Sequence, residues 1–246
     1  HGIQQIDFHI DDITGEDKTV DTVVDIFNRV NSGGTKLSKG DLALAKICAE
    51  WPEAREQLNY RLNNWSSAGF EFKLELLLRC ITAIVTKQAS FDKLADMDAG
   101  SFEEGLRKAE KAVDFLLDLI GSRLGLDFDR VLGSRYSFPL MASYLVCRRF
   151  KLDPIKETGQ LLFWYVHSFL WGRYASSTET TLNRDLTLIQ SSESLDDLIG
   201  DLRIRRGDLR VHAADFIGWS QGARFYPLMY MLTRVCDARD WGTGLP

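Results

Sequence analysis

The chain has 246 residues, 45% of them hydrophobic and 26% charged. That composition excludes a disordered chain, a collagen-like repeat and a small disulfide-stapled scaffold, and a chain of this length buries roughly 70% or more of its unfolded surface. The formal net charge is -5, from 30 Lys+Arg against 35 Asp+Glu, so no global basic field exists to hold nucleic acid and any such contact must be a local patch.

His1 stands where a starting Met would be, and the first residues lack the basic start and apolar block of a signal peptide. His1 is therefore expected to be a tag remnant or a cut end with native residues before it. Ile6, Phe8 and Ile10 keep period two and predict one short strand. A single strand cannot satisfy its own edges, so it is expected to pair with a sheet that precedes the chain.

From Asp17 the period becomes helical, with Val20, Val23, Val24, Phe27 and Val30 on one stripe. The helix is expected to stop at Asn31-Ser32-Gly33-Gly34. Ser38 with Asp41 reads as a capping box opening a helix that puts Leu42, Ala45 and Ala49 on its face and ends near Trp51-Pro52. Leu58, Leu62 and Trp65 continue a stripe, and residues 70–87 predict a helix buried on most sides.

Ser101 with Glu104 is expected to cap the next helix, with Leu106, Ala109, Val113, Leu116, Leu117, Ile120 and Leu124 as its stripe and Gly125 after it. Ser137 with Pro139, and then Asp153-Pro154, predict two more starts. Ser176-Ser177 is expected to cap a helix carrying Leu182, Leu186 and Ile189. Residues 208–219 and 221–237 predict further helix, and the closing WGTGLP is turn chemistry.

The fold class expected is all-α: a globular bundle of about nine or ten helices with one short N-terminal strand. No repeat of fixed period is visible. The less apolar stretch 90–100 is the best internal seam, which divides the helical part into 17–89 and 90–246.

No segment approaches the roughly 18 uncharged apolar residues of a membrane span, so no membrane partner is expected. Cys48, Cys80, Cys147 and Cys236 lie far apart without a CxxC pair and read as reduced core thiols of a cytoplasmic protein. His1, His9, His167 and His212 are isolated, with no ligand spacing, so no metal site is expected; His167 reads as a satisfied core histidine. There is no GxSxG, no phosphate loop and no GxGxxG. Asp196-Asp197 and Glu103-Glu104 are adjacent, so on helices they point apart and read as solvated faces. No self-sufficient active site is present.

Two segments carry binding chemistry. Around Asn31-Ser32-Gly33-Gly34, consecutive glycines free backbone N–H groups for an anion nest, and Arg29, Asn31, Thr35 and Lys36 add donors. A plain helix–turn–helix connection explains the same residues. Gly172-Arg173-Tyr174-Ala175-Ser176-Ser177 either holds a phosphate backbone or caps a helix, with Glu179 reaching back. Arg203, Arg205 and Arg206, in a loop-like stretch, with Arg173, are the DNA-contact candidates; a solvated surface is the plainer account of the arginine run.

The string FNRVNSGGTKLSKGDLALAKI resembles a signature of the GmrSD-type restriction endonuclease family, whose members carry a ParB/sulfiredoxin-like N-terminal domain. The family pattern is approximately F-x-R-x-N-x-G-G-x-x-L-S-x-x-[DE], and Phe27, Arg29, Asn31, Gly33, Gly34, Leu37, Ser38 and Asp41 match it. GRYASSTETTLNRDL is similar to a second family pattern, and ARDWGTGLP to the stretch preceding a C-terminal HNH-type nuclease region.

The resemblance implies that residues 1–16 are a remnant strand of a ParB-like domain and that the rest is the helical middle of a longer protein. The family's Asp-Gly-Gln-Gln-Arg motif would precede residue 1, since no Arg follows Gln4-Gln5, and its His-His nuclease motif would follow residue 246. Arg29, Asn31, Gly33 and Gly34 would lie beside the nucleotide pocket, with nucleotide binding weak or absent in this segment alone. The parent would be an NTP-dependent nuclease using a divalent metal and acting on DNA in defence, and this segment, without a cofactor, its spacer. The competing expectation is a non-catalytic protein-interaction module.

Overall fold

A computed structural model describes residues 39–95, 97–192, 194–217 and 224–245. The expected strand at residues 6–10, the helix from Asp17, the turn at residues 31–34 and the Ser38 cap lie outside them. Among the described residues the secondary structure is helical, without a strand, as the all-α expectation requires.

Helix α1 (Lys39–Glu50) and α2 (Ala54–Ser67) break where Pro52 has no N–H to continue the ladder. Ala43, Leu44 and Ile47 form the inward face of α1, while Ala45 and Ala49, expected to face the core, are exposed. The inward stripe follows the larger side chains, Leu44 and Ile47, rather than the alanines.

Helix α3 (Leu74–Thr86) begins later than the apolar run suggested. Phe70 and Phe72 are buried in the loop before it, where their rings lie 6.1 Å apart and Trp65 meets Phe72 edge-on at 5.5 Å. Leu76–Ile84 of α3 are buried on every side. Lys87, with φ of 59°, closes it in the left-handed conformation.

Helix α4 (Ala99–Leu124) buries Leu106, Ala109, Val113, Leu116 and Ile120, and Gly125 at φ 68° ends it. Its cap is Asp98 rather than the expected Ser101: Asp98 Oδ1 accepts the Ser101 N–H at 2.8 Å, and a carboxylate there also meets the positive helix end.

Helix α5 (Ser137–Cys147) is buried from Ser137 to Leu145. Before α6 (Lys156–Leu170), Asp153 Oδ1 accepts the N–H groups of Ile155 and Lys156, and Glu157 Oε2 accepts the Asp153 N–H at 2.7 Å. The Asp-Pro signal thus marks the approach to α6, but Pro154, expected as its first residue, lies in the turn before it and the helix begins at Lys156.

Helix α7 (Thr178–Ser192) follows, then α8 (Leu195–Arg206), capped by Ser194, whose side chain accepts from the Asp196 N–H. The arginine run expected in a loop is the last turn of α8. Residues 208–217, expected to begin a helix, hold only a short 3-10 turn, Ala213–Phe216. Helix α9 (Tyr226–Val235) ends the described fold.

Helix α3 packs against both α4 and α5, and α6 packs against α5 and α8, with α7 on α5 and α8. Each large apolar side chain removed from water contributes about 1.5–3 kcal/mol, so Leu77, Leu78 and Ile81 make α3 the anchor of the bundle. The chain after α6 is then held against α8, where the polar groups concentrate.

Candidate functional site

Gly172, at φ 62°, turns the chain after α6, and the Arg173 N–H bonds Ser168 O at 2.9 Å. This turn sends the Arg173 side chain inward, where it is 2% exposed. Its Nε donates to Asp185 Oδ2 at 2.7 Å and its Nη2 to both Asp185 Oδ1 and Asp201 Oδ2, the latter also at 2.7 Å. The buried Tyr174 hydroxyl donates to Asp185 Oδ2 at 2.8 Å.

Asp201 also receives Arg184 and, at 3.0 Å, Arg205 Nε. The junction of the post-α6 turn, α7 and α8 is therefore a network of arginines and two buried carboxylates. Burial opposes the charge of Arg173, but Asp185 and Asp201 outweigh it and hold the guanidinium pKa above its ordinary value. Burial, with Asp185 beside it, pushes the Tyr174 hydroxyl well up.

Of the DNA-contact candidates, Arg173 is thus interior and committed to two carboxylates. Arg203, Arg205 and Arg206 are exposed on the last turn of α8, where cations meet the negative helix end favourably. Arg203 forms no ion pair with any described residue. The Arg206 guanidinium lies 4.3 Å over the Trp171 ring and reaches Asp215 only at 3.8 Å. The nucleotide candidates Arg29, Asn31, Gly33 and Gly34 lie outside the described residues.

Between these elements is a cleft of about 210 Å³ lined by Trp171, Gly172, Arg173, Thr181, Leu202, Arg205 and Arg206, without a carboxylate. A wider cleft of about 630 Å³ shares Gly172 with it and is lined by Arg130, Ser134, Tyr136 and Arg224 among others.

His167, 9% exposed, accepts a hydrogen bond at Nδ1 from Trp171 Nε1 at 3.0 Å and packs on Phe163. Burial and the nearby Arg203 hold its imidazole pKa below the ordinary His range, and it is a hydrogen-bonded core histidine, as the sequence suggested. The expectation of four core thiols holds only for Cys80; Cys48 is half-buried, and Cys147 and Cys236 are exposed because they lie at or just past the ends of α5 and α9. Glu104 pairs with Arg107 and Lys108 on the α4 surface. Among the described residues, no three His, Cys, Asp or Glu side chains converge as metal ligands, and no helix is long and apolar enough to cross a membrane.

The spacing from Arg173 to Asp185 was visible in the sequence, but Asp201 was not legible as a partner, because α8 was not expected there. Comparison with family models and with curated proteins returned no match for this chain.

Proposed function

We propose that this chain is the helical, non-catalytic spacer of a cytoplasmic GmrSD-like restriction nuclease and that the end of its α8 contacts the phosphates of DNA. The observation carrying this reading is the row of exposed guanidiniums Arg203, Arg205 and Arg206 on one helical turn, with Arg203 free of any described ion-pair partner. The family signature around residues 27–41 supplies the parent, with its NTP, divalent metal and nuclease end outside this segment. Arg29, Asn31, Gly33 and Gly34 are assigned to the rim of the parent's nucleotide pocket.

DNA binding to the chain, measured across salt concentrations, tests the contact. A linear fall of log affinity with log salt is expected, with a slope reduced by about one for each phosphate contact removed in Arg203→Ala. An unchanged slope in that variant rejects the assignment.

A protein-interaction module is the second reading, favoured by α9. Tyr226, Met229, Leu232 and Val235, spaced three residues apart, are all substantially exposed, and Trp241 is fully exposed beyond them. Exposed apolar side chains gathered on one short helix mark interaction sites more than scattered single ones do. Loss of partner recovery by Leu232→Glu, with DNA binding intact, favours this reading over the first.

A further inference from the structure

We propose that the cleft between the 171–173 turn, the start of α7 and the end of α8 is a binding site for a phosphate group, held by Arg173, Arg206 and Thr181. It goes beyond the DNA reading, which rests on Arg203 and exposed charge, and stands if that reading fails.

The first support is an orphaned donor. Arg173 Nη1 is buried and has no hydrogen-bond partner, although the rest of the guanidinium is fully engaged. Leaving a buried donor unmade costs about 1–3 kcal/mol, more for a charged group, so an acceptor belongs beside it. Thr181, half-buried on the first turn of α7, makes no side-chain hydrogen bond with a described residue and lines the same cleft.

The second support is charge. Arg173, Arg184, Arg205 and Arg206 crowd two carboxylates, Asp185 and Asp201, and the third, Asp215, reaches Arg206 only at 3.8 Å. The four arginines outnumber the three carboxylates by one, so the junction carries a net positive charge that favours an oxyanion. Guanidinium forks match phosphate oxygens in geometry as well as charge.

Size supplies the third constraint. At about 210 Å³ the cleft is below the roughly 300–1,000 Å³ of drug-sized ligand pockets, so it admits a phosphate group rather than a whole organic ligand. Trp171, Gly172 and Leu202 also line it. An ester attached to that phosphate would have to extend outward.

The full chain is titrated with inorganic phosphate at ionic strength held constant with sodium chloride, following the thermal midpoint and the tryptophan fluorescence. A saturable rise in midpoint is expected, weakened tenfold or more by Arg206→Gln and several-fold by Thr181→Val. Both substitutions leave the buried Arg173–Asp185 pair in place. Absence of a saturable response, or a response that Arg206→Gln leaves unchanged, overturns the site. A nucleoside monophosphate and a short DNA oligonucleotide then compete with phosphate. Displacement by the monophosphate alone assigns a free phosphate ester, and displacement by the oligonucleotide assigns a backbone phosphate; either supports the site. Phosphate binding with an unchanged Arg203→Ala salt slope rejects the DNA reading alone, and the converse rejects this one alone.

Discussion

Arg173 Nε donates to Asp185 Oδ2 at 2.7 Å, joining the turn after α6 to the middle of α7 with both side chains almost wholly withdrawn from water. The pair locks the two segments in register. Among the described residues, without Arg173 the buried Asp185 would keep only the Tyr174 hydroxyl, and without Asp185 the guanidinium would keep only Asp201.

Asp185→Ala is expected to destabilise the chain by up to about 3–5 kcal/mol, because it leaves the buried Arg173 guanidinium sharing one carboxylate, Asp201, with Arg184 and Arg205. Arg184→Ala removes a partner that is 54% exposed and is expected to cost no more than about 1 kcal/mol. Urea unfolding of the two variants measures the difference. Equal losses would show that burial is not what gives the Arg173 pair its weight.

Stability is expected to fall with pH below about 6.5, the unfolded value for histidine. The folded His167 pKa is lowered by burial and by Arg203, so the unfolded chain binds the extra proton first and gains on the folded one. The contribution is complete above the unfolded value and is lost as pH falls toward the folded one. Protonation also removes the acceptor that the Trp171 indole uses. In His167→Gln this part of the pH dependence is expected to vanish, read from chemical unfolding between about pH 7.5 and 5.5, roughly one unit either side of that value.

Gly133 and Gly159 should respond oppositely to alanine. A Cβ on Gly133 would run into the Phe169 ring, with Cγ at 2.5 Å, and the expected cost is about 1–3 kcal/mol. Gly159 lies within α6 and nothing stands within 4 Å of its Cβ position, so Gly159→Ala is expected to stabilise by about 0.5–1 kcal/mol. Thermal midpoints of the two variants should move in opposite directions.

Thiol labelling should divide the cysteines. Cys147 and Cys236 are exposed and should alkylate in the native chain, Cys147 beside the Lys87 ammonium at 3.2 Å. Burial pushes the Cys80 thiol up, away from the reactive thiolate, and encloses it in α3. Cys80 should label only at the rate of global opening, followed by mass spectrometry of the digested chain. Rapid native labelling of Cys80 would contradict the packing of α3.

The helical period, the Asp153-Pro154 start and the Gly125 stop were legible because each is a local preference of the backbone, satisfied within a few residues. The apolar stripe of α4 was legible for the same reason: Leu106, Ala109, Val113, Leu116 and Ile120 are buried, whereas Leu117 and Leu124 are half-buried and Phe102 and Ala112 join the buried face. Other features needed the assembled fold. Phe70 and Phe72 read as helix until Trp65 and Phe138 offered them a better surface in the preceding loop. Ala45 read as core until Leu44 and Ile47 set the rotation of α1.

Arg173 shows the division most plainly. The sequence determined its charge, the turn at Gly172 and the presence of Asp185 twelve residues on. Only the packing of α8 against α6 and α7 brought Asp201 to it and withdrew the group from solvent. Local propensity acts over one or two turns, whereas the environment of a charge depends on every element that excludes water from it, and those elements meet only in the folded chain.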